Sequence, residues 1–208
     1  MLNFEEKVYT PKPFFKTKMM RYSVFYFPKD PKSKGQVVIE MTESTGKNGN
    51  ARIYKGEKFK MHLSPTEVAG LIARMDFILN NYHFIFSEKN YNYLAVGGRA
   101  EFEHFPPAKD GVKNKTIFGL RLADREAFLN SLKEEGEFLT PIVTVVMGKK
   151  GLSFAVSLTR DELSRMREDF KMFYQLLFAL DTVQKSFGEG KPGEDNSKAA
   201  EETTFDFE

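Results

Sequence analysis

Along several segments of this chain, cations and aromatic rings recur two residues apart. In an extended strand, residues two apart share a face. Arg21, Phe25 and Phe27 fall on one side of Met19 to Phe27, with Tyr22, Val24 and Tyr26 on the other. Arg52 and Tyr54 alternate away from Ala51, Ile53 and Lys55, while Lys58, Lys60 and His62 oppose Phe59, Met61 and Leu63. Further on, Tyr91, Tyr93, Arg99, Phe102, Lys115, Phe118 and Arg121 mix rings with cations, and Lys34 and the pair Lys149-Lys150 stand in two basic turns. Such rings stack on unpaired bases while ammonium and guanidinium groups neutralise phosphates, and neither needs a base code. The bland alternative makes many of the rings core and leaves the lysines to solubilise the edges. Taken together, the set favours a face for single-stranded DNA, with RNA left open.

Other chemistries find little support. The chain has no cysteine, so it offers no thiol nucleophile, disulfide framework or thiolate metal site. His62, His83 and His104 lie about 21 residues apart, without the close pairing that metal ligation requires. Gly97-Gly98 lacks the strand-loop-helix setting and downstream lysine of a phosphate loop, and no serine occupies a nucleophile elbow. The expectation is a protein that is not an enzyme and needs no metal or cofactor.

The elements that must carry these faces are clearest at Gly56 to Leu79. Glu57 to Leu63 alternates as a half-buried strand. Ser64 then stands at the N-cap with Pro65 at the first helical position and Glu67 three residues on, a capping box with a pre-organised start. Val68, Leu71, Ile72, Met75 and Leu79 follow at helical spacing. The unit recurs 95 positions later: Phe154, Val156 and Leu158 match Phe59, Met61 and Leu63. Thr159 and Glu162 match the cap and its glutamate, and Phe170 and Phe173 match Met75 and Ile78. A matched strand, cap and box point to an internal duplication.

Strands are expected at Met19 to Phe27, Gln36 to Thr42, Ala51 to Lys55 and Glu57 to Leu63, with a hairpin signal at Asn48-Gly49. With the following helix, the first half reads β-β-β-β-α. The second half reads as strands at His83 to Ser87, Tyr91 to Val96, Ala100 to Phe105, Lys115 to Leu122, Leu139 to Met147 and Leu152 to Leu158, with an inserted helix over Ala123 to Glu135. A last helix runs from Arg160 to about Phe187. Leu163, Met166, Phe170, Phe173, Leu177 and Leu180 form a heptad seam on it, read as an oligomer interface, with an intramolecular pair with the first helix as the alternative. The fold class is therefore α+β, a duplicated β-β-β-β-α with antiparallel sheets packed on long helices.

At 208 residues the chain divides into an N-terminal arm (1–16), a nucleic-acid-binding domain (17–187, halves about 17–80 and 83–187) and a tail (188–208) whose composition is that of a disordered segment. The net charge of +2 hides an asymmetry: the tail has seven acids against two lysines, so the rest of the chain carries +7. A basic body with an acidic tail fits a polyanion partner. No signal peptide or membrane span is evident, so a soluble, cytoplasmic protein with no membrane partner is expected.

The phrase FKMHLSPTEVAGLI resembles the strand-into-helix segment of the Whirly proteins, relatives of the PC4-like single-stranded DNA binders, and GLSFAVSLTRDELSRM resembles their second such junction. The resemblance implies two antiparallel sheets, a helical core that mediates tetramers, and single strands bound across sheet edges. Of the Lys-Gly-Lys-Ala-Ala-Leu sequence of plant members, only Lys34-Gly35 is present here. The ending Phe205-Asp206-Phe207-Glu208 is similar to the acidic tails of bacterial-type single-stranded DNA-binding proteins, with a glutamate after the last ring. It implies a segment that competes for a basic groove and recruits replication or repair proteins.

Overall fold

The computed structural model describes residues 9–25, 35–48, 51–91, 100–104, 116–149 and 152–188. Two four-stranded antiparallel sheets are each followed by a long helix. The N-terminal sheet has the order β1 (Phe14–Phe15), β2 (Lys18–Phe25), β3 (Gln36–Glu43), β6 (Lys58–Leu63), and α1 (Pro65–Ile85) leaves its last strand. The C-terminal sheet runs β7 (Ala100–His104), β8 (Thr116–Leu122), β9 (Pro141–Lys149), β10 (Leu152–Thr159). Helix α2 (Arg125–Glu134) interrupts it between β8 and β9, and α3 (Arg160–Gly188) leaves β10. A separate ribbon, β4 (Gly46–Asn48) with β5 (Ala51–Ile53), projects between β3 and β6.

Local chemistry starts both long helices the same way. The Ser64 hydroxyl accepts from the Glu67 N–H, and the Glu67 carboxylate accepts from the Ser64 N–H at 2.8 Å. Thr159 and Glu162 repeat the exchange at the head of α3. A cap of this kind is worth about 1 kcal/mol. Helix α2 begins at Asp124, whose carboxylate accepts from the Ala127 N–H, and it stops at Gly136, where φ of +81° suits only a residue without Cβ.

The duplication runs through the strand pairing. Tyr22 pairs with Ile39 and Ile39 with Met61, while Leu120 pairs with Val145 and Val145 with Val156. Each strand therefore maps onto its counterpart at one constant offset: 98 residues from β2 to β8, 106 from β3 to β9, and 95 from β6 to β10. Every mapped inward residue from Met20 to Tyr22, from Val37 to Met41 and from Phe59 to Leu63 has a buried apolar partner in the other half. The equivalent rings Phe59 and Phe154 stack on one another at 6.1 Å, as they would at the axis of a two-fold repeat.

Several sequence expectations need correction. The heptad seam is spent inside the protomer: Leu163, Met166, Phe170, Phe173 and Leu177 are buried, and Leu180 is half-buried. Their 95-residue counterparts Val68, Leu71, Met75, Ile78 and Tyr82 form the matching buried stripe of α1. Tyr22 from the N-terminal sheet meets Phe170 and Phe173 edge-on at 5.2 and 5.7 Å. Leu163, Met166, Phe170, Phe173 and Leu177 therefore serve an intramolecular core and not an interface between copies. Ala51 to Lys55 is not a strand of the main sheet, because β5 pairs only with β4; the fourth strand is β1 from the arm. His83 to Ile85 belong to α1, so no strand opens there; Tyr91 closes a helical turn at 88–91, and the rest of the strand expected over Tyr91 to Val96 lies outside the described residues.

Candidate nucleic-acid interface

Alternation on the N-terminal sheet turns Met20, Tyr22, Val24, Ile39 and Met61 inward and leaves the opposite face in three rows across β2, β3 and β6. The central row is Arg21, Glu40 and Lys60, placed directly opposite one another. Arg21 Nη2 lies 2.5 Å from Glu40 Oε1, and Lys60 Nζ lies 3.1 Å from Glu40 Oε2. One flanking row is Met19, Thr42 and Lys58; the other is Ser23, Val38 and His62. His62 Nδ1 lies 2.9 Å from Gln36 Oε1, and Gln36 is itself opposite Phe25. Lys58, Lys60 and His62 are exposed, and Arg21 and Phe25 are half-buried.

Rings border this face where the strands begin. Phe15 is 55% exposed, and its ring centroid lies 5.7 Å from that of Tyr54. The Tyr54 hydroxyl donates to the Lys16 carbonyl at 2.6 Å, tying the end of the ribbon to the β1–β2 turn. The close approach of Gly56 helps this: a Cβ there would sit 2.9 Å from Glu43 Cβ. On the ribbon, Arg52 stands directly opposite Lys47, and both are exposed. Like charges facing one another across a ribbon are mutually destabilising, a cost that a bound anion relieves. The arrangement offers stacking surface and cations over neighbouring strands, with the Glu40 carboxylate holding Arg21 and Lys60 in place.

Of the residues picked from the sequence, Arg21, Phe25, Arg52, Tyr54, Lys58 and Lys60 are brought to this one region. Arg121 is exposed on the outer face of β8, on the other sheet. Phe118 is fully buried opposite Met147 and has no ring face to offer; strand alternation turns it inward. Tyr91 is half-buried and packs against Phe86 at 5.9 Å. Phe27, Lys34, Tyr93, Arg99, Lys115, Lys150 and Phe205 to Glu208 lie outside the described residues, as do the side chains of Phe102 and Lys149. Phe15 and Lys47 were missed. Phe15 was legible as half of an aromatic pair in the arm, and Lys47 as the residue that a turn after Asn48 would set opposite Arg52.

Among the described residues no cluster of His, Asp or Glu has the makings of a metal site, and no helix is long and apolar enough to cross a membrane. The fold is thus a duplicated α+β arrangement of antiparallel sheets and long helices, with a ring-and-cation face on its first sheet. No family model matches the chain, and no curated protein matches it. Solved structures similar to it include WHY3 from Arabidopsis thaliana, at 12% identity and a TM-score of 0.49 over 88% of this chain and 97% of that one. WHY1 from Arabidopsis thaliana is 15% identical with a TM-score of 0.49, over 90% and 98%. The plant transcriptional regulator PBF-2 is 14% identical with a TM-score of 0.48, over 88% and 87%.

Proposed function

We propose that this protein binds single-stranded DNA without strong sequence preference through the outer face of its N-terminal sheet, and that it is not an enzyme. The observation that carries the reading is the convergence of Phe15, Tyr54, Phe25, Arg21, Lys58 and Lys60 on one face, with Lys47 and Arg52 on the adjoining ribbon. Stacking on such rings is worth about 1–3 kcal/mol per base, and the cations supply a salt-dependent term. The role proposed is coating of single strands in replication, recombination or repair, in the cytoplasm. Residues 188–208 act as an internal polyanion that competes for the face and as a handle for partner proteins. The exposed rings of Phe77 and Phe84 on α1, and of Tyr174 and Phe178 on α3, support self-association in place of the buried seam.

Fluorescence anisotropy with labelled oligo-dT, a matched RNA and a duplex tests this. Oligo-dT is expected to bind best, with affinity falling as salt rises and with duplex clearly weaker. Preference for RNA would move the reading to an RNA-binding or transcription-regulating module, and no binding at low salt would leave a protein-interaction module. The same titration on a chain ending at Phe187 is expected to show tighter binding; unchanged affinity would remove the competing role of the tail.

A further inference from the structure

The outer face of the N-terminal sheet holds one group that works against anion binding. Glu40 sits in the middle of the central row, only 3% exposed, with one carboxylate oxygen on Arg21 and the other on Lys60. The Thr42 hydroxyl reaches the same Oε1 at 3.5 Å. Withdrawing a carboxylate from water is costly unless it is paired, and even a paired one is seldom better than an apolar residue of similar size. This protein contains that comparison. The residue equivalent to Glu40 in the C-terminal sheet is Val146, likewise buried, and its row neighbours Gly119 and Ala155 replace Arg21 and Lys60. The fold therefore does not require a charge at this register.

We infer that Glu40 sets the affinity of the interface. It is a built-in counter-anion occupying two cations that a nucleic-acid phosphate would otherwise neutralise. The inference rests on the proposed reading of this face. A phosphate arriving at Arg21 or Lys60 must share the cation with Glu40 or displace it, so the row contributes one net positive charge where its cations number two. The wild-type face then binds single strands more weakly, and with a shallower salt dependence, than its cations alone would give. A protein that must let go of a strand as readily as it coats it gains from that attenuation.

Two variants test this in the full chain. Glu40→Val installs the residue that the second sheet carries at this position, and Glu40→Gln keeps the shape while removing the charge. Each is titrated with labelled oligo-dT over a range of salt, with thermal melts confirming that it is folded. Both are expected to bind about tenfold tighter at low salt, as removal of one negative charge beside a phosphate predicts. The slope of log affinity against log salt is expected to steepen by about 0.7, the share of the one positive charge that removal of Glu40 sets free. If Glu40→Val does not fold, Glu40→Gln decides. A folded variant with unchanged slope and equal or weaker binding would overturn the inference, because a residue that merely positions Arg21 and Lys60 weakens binding when removed. If the wild type itself fails to bind, the interface reading falls and takes this inference with it. Wild-type binding without tightening in the variants removes this inference alone.

Discussion

The two sheets are built on one plan and differ almost wholly on the side turned away from the core. Inward, Tyr22, Ile39 and Met61 answer to Leu120, Val145 and Val156, all buried. Outward, the row Arg21, Glu40, Lys60 answers to Gly119, Val146, Ala155, and the row Ser23, Val38, His62 answers to Arg121, Thr144, Ser157. Thr144 and Ser157 hydroxyls bond each other at 3.0 Å, a neutral pair where the first sheet has Val38 and His62. Interiors tolerate little change in volume, so the buried halves of a duplication diverge slowly. On the outer faces Val38, Glu40 and Val146 are buried as well, but Arg21, Lys58 and Lys60 reach solvent, where side chains change at little cost, and these cations have gathered on one sheet. A repeated fold need not carry a repeated function.

If the halves share one core, equivalent truncations in it should cost alike. Leu71→Ala in α1 and its counterpart Met166→Ala in α3 are each expected to destabilise by about 2–5 kcal/mol, read by urea denaturation as a single transition. Two separate transitions, or a loss confined to one variant, would divide the protein into independent halves and break the comparison at its base.

A smaller effect should distinguish them. Tyr22 and its equivalent Leu120 occupy the same place, but only Tyr22 carries a hydroxyl, which donates to Asp169 Oδ2 at 2.6 Å. Burial, then the hydrogen bond to Asp169 and its negative charge, raise the Tyr22 pKa far above its usual 10.0, with Arg165 opposing. The folded chain thus holds this proton where the unfolded chain releases it. The stabilisation is complete below pH of about 10 and is lost as pH rises from there toward the folded value. Tyr22→Phe is expected to cost about 1.5–3 kcal/mol at neutral pH and to flatten the alkaline fall in stability. An unchanged alkaline slope in this variant would place the sensitivity elsewhere.

What the sequence made legible was local. The alternation of Glu57 to Leu63, the Ser64–Glu67 box and its Thr159–Glu162 echo depend on neighbours within a few residues, and all three stand in the structure. Pairing depends on distant partners and was read less well. Phe14-Phe15 is too short to show a period, yet it completes the first sheet, while the better-patterned Ala51 to Lys55 turns aside into the ribbon. His83 to Phe86 is rich in β-favouring rings, but Ile85 and Phe86 are held at the helix end by core packing, and tertiary contacts override propensity. The heptad seam identified a buried helix face without saying whose surface would bury it; α1, with the matching stripe, lies in the same chain. Phe118 shares one side of β8 with Leu120 and Leu122, while Arg121 falls on the other, so alternation already separates this ring from the cation it was grouped with. On the first sheet, lysines on one side and Phe59, Met61 and Leu63 on the other made the direction plain. The candidate site was therefore most readable where it was most charged.

The central claim is that one sheet binds the strand and its duplicate does not. The most direct measurement is the affinity for labelled oligo-dT, at low salt, of Lys58→Glu/Lys60→Glu on the first sheet beside Ser157→Glu/Arg121→Glu on the second, each checked for folding by its melt. Reversing charges on the first sheet is predicted to weaken binding by about a hundredfold or more and to flatten its salt dependence, while the second pair stays within about threefold of wild type. Equal losses from both sheets, or a loss from the second alone, would contradict the account.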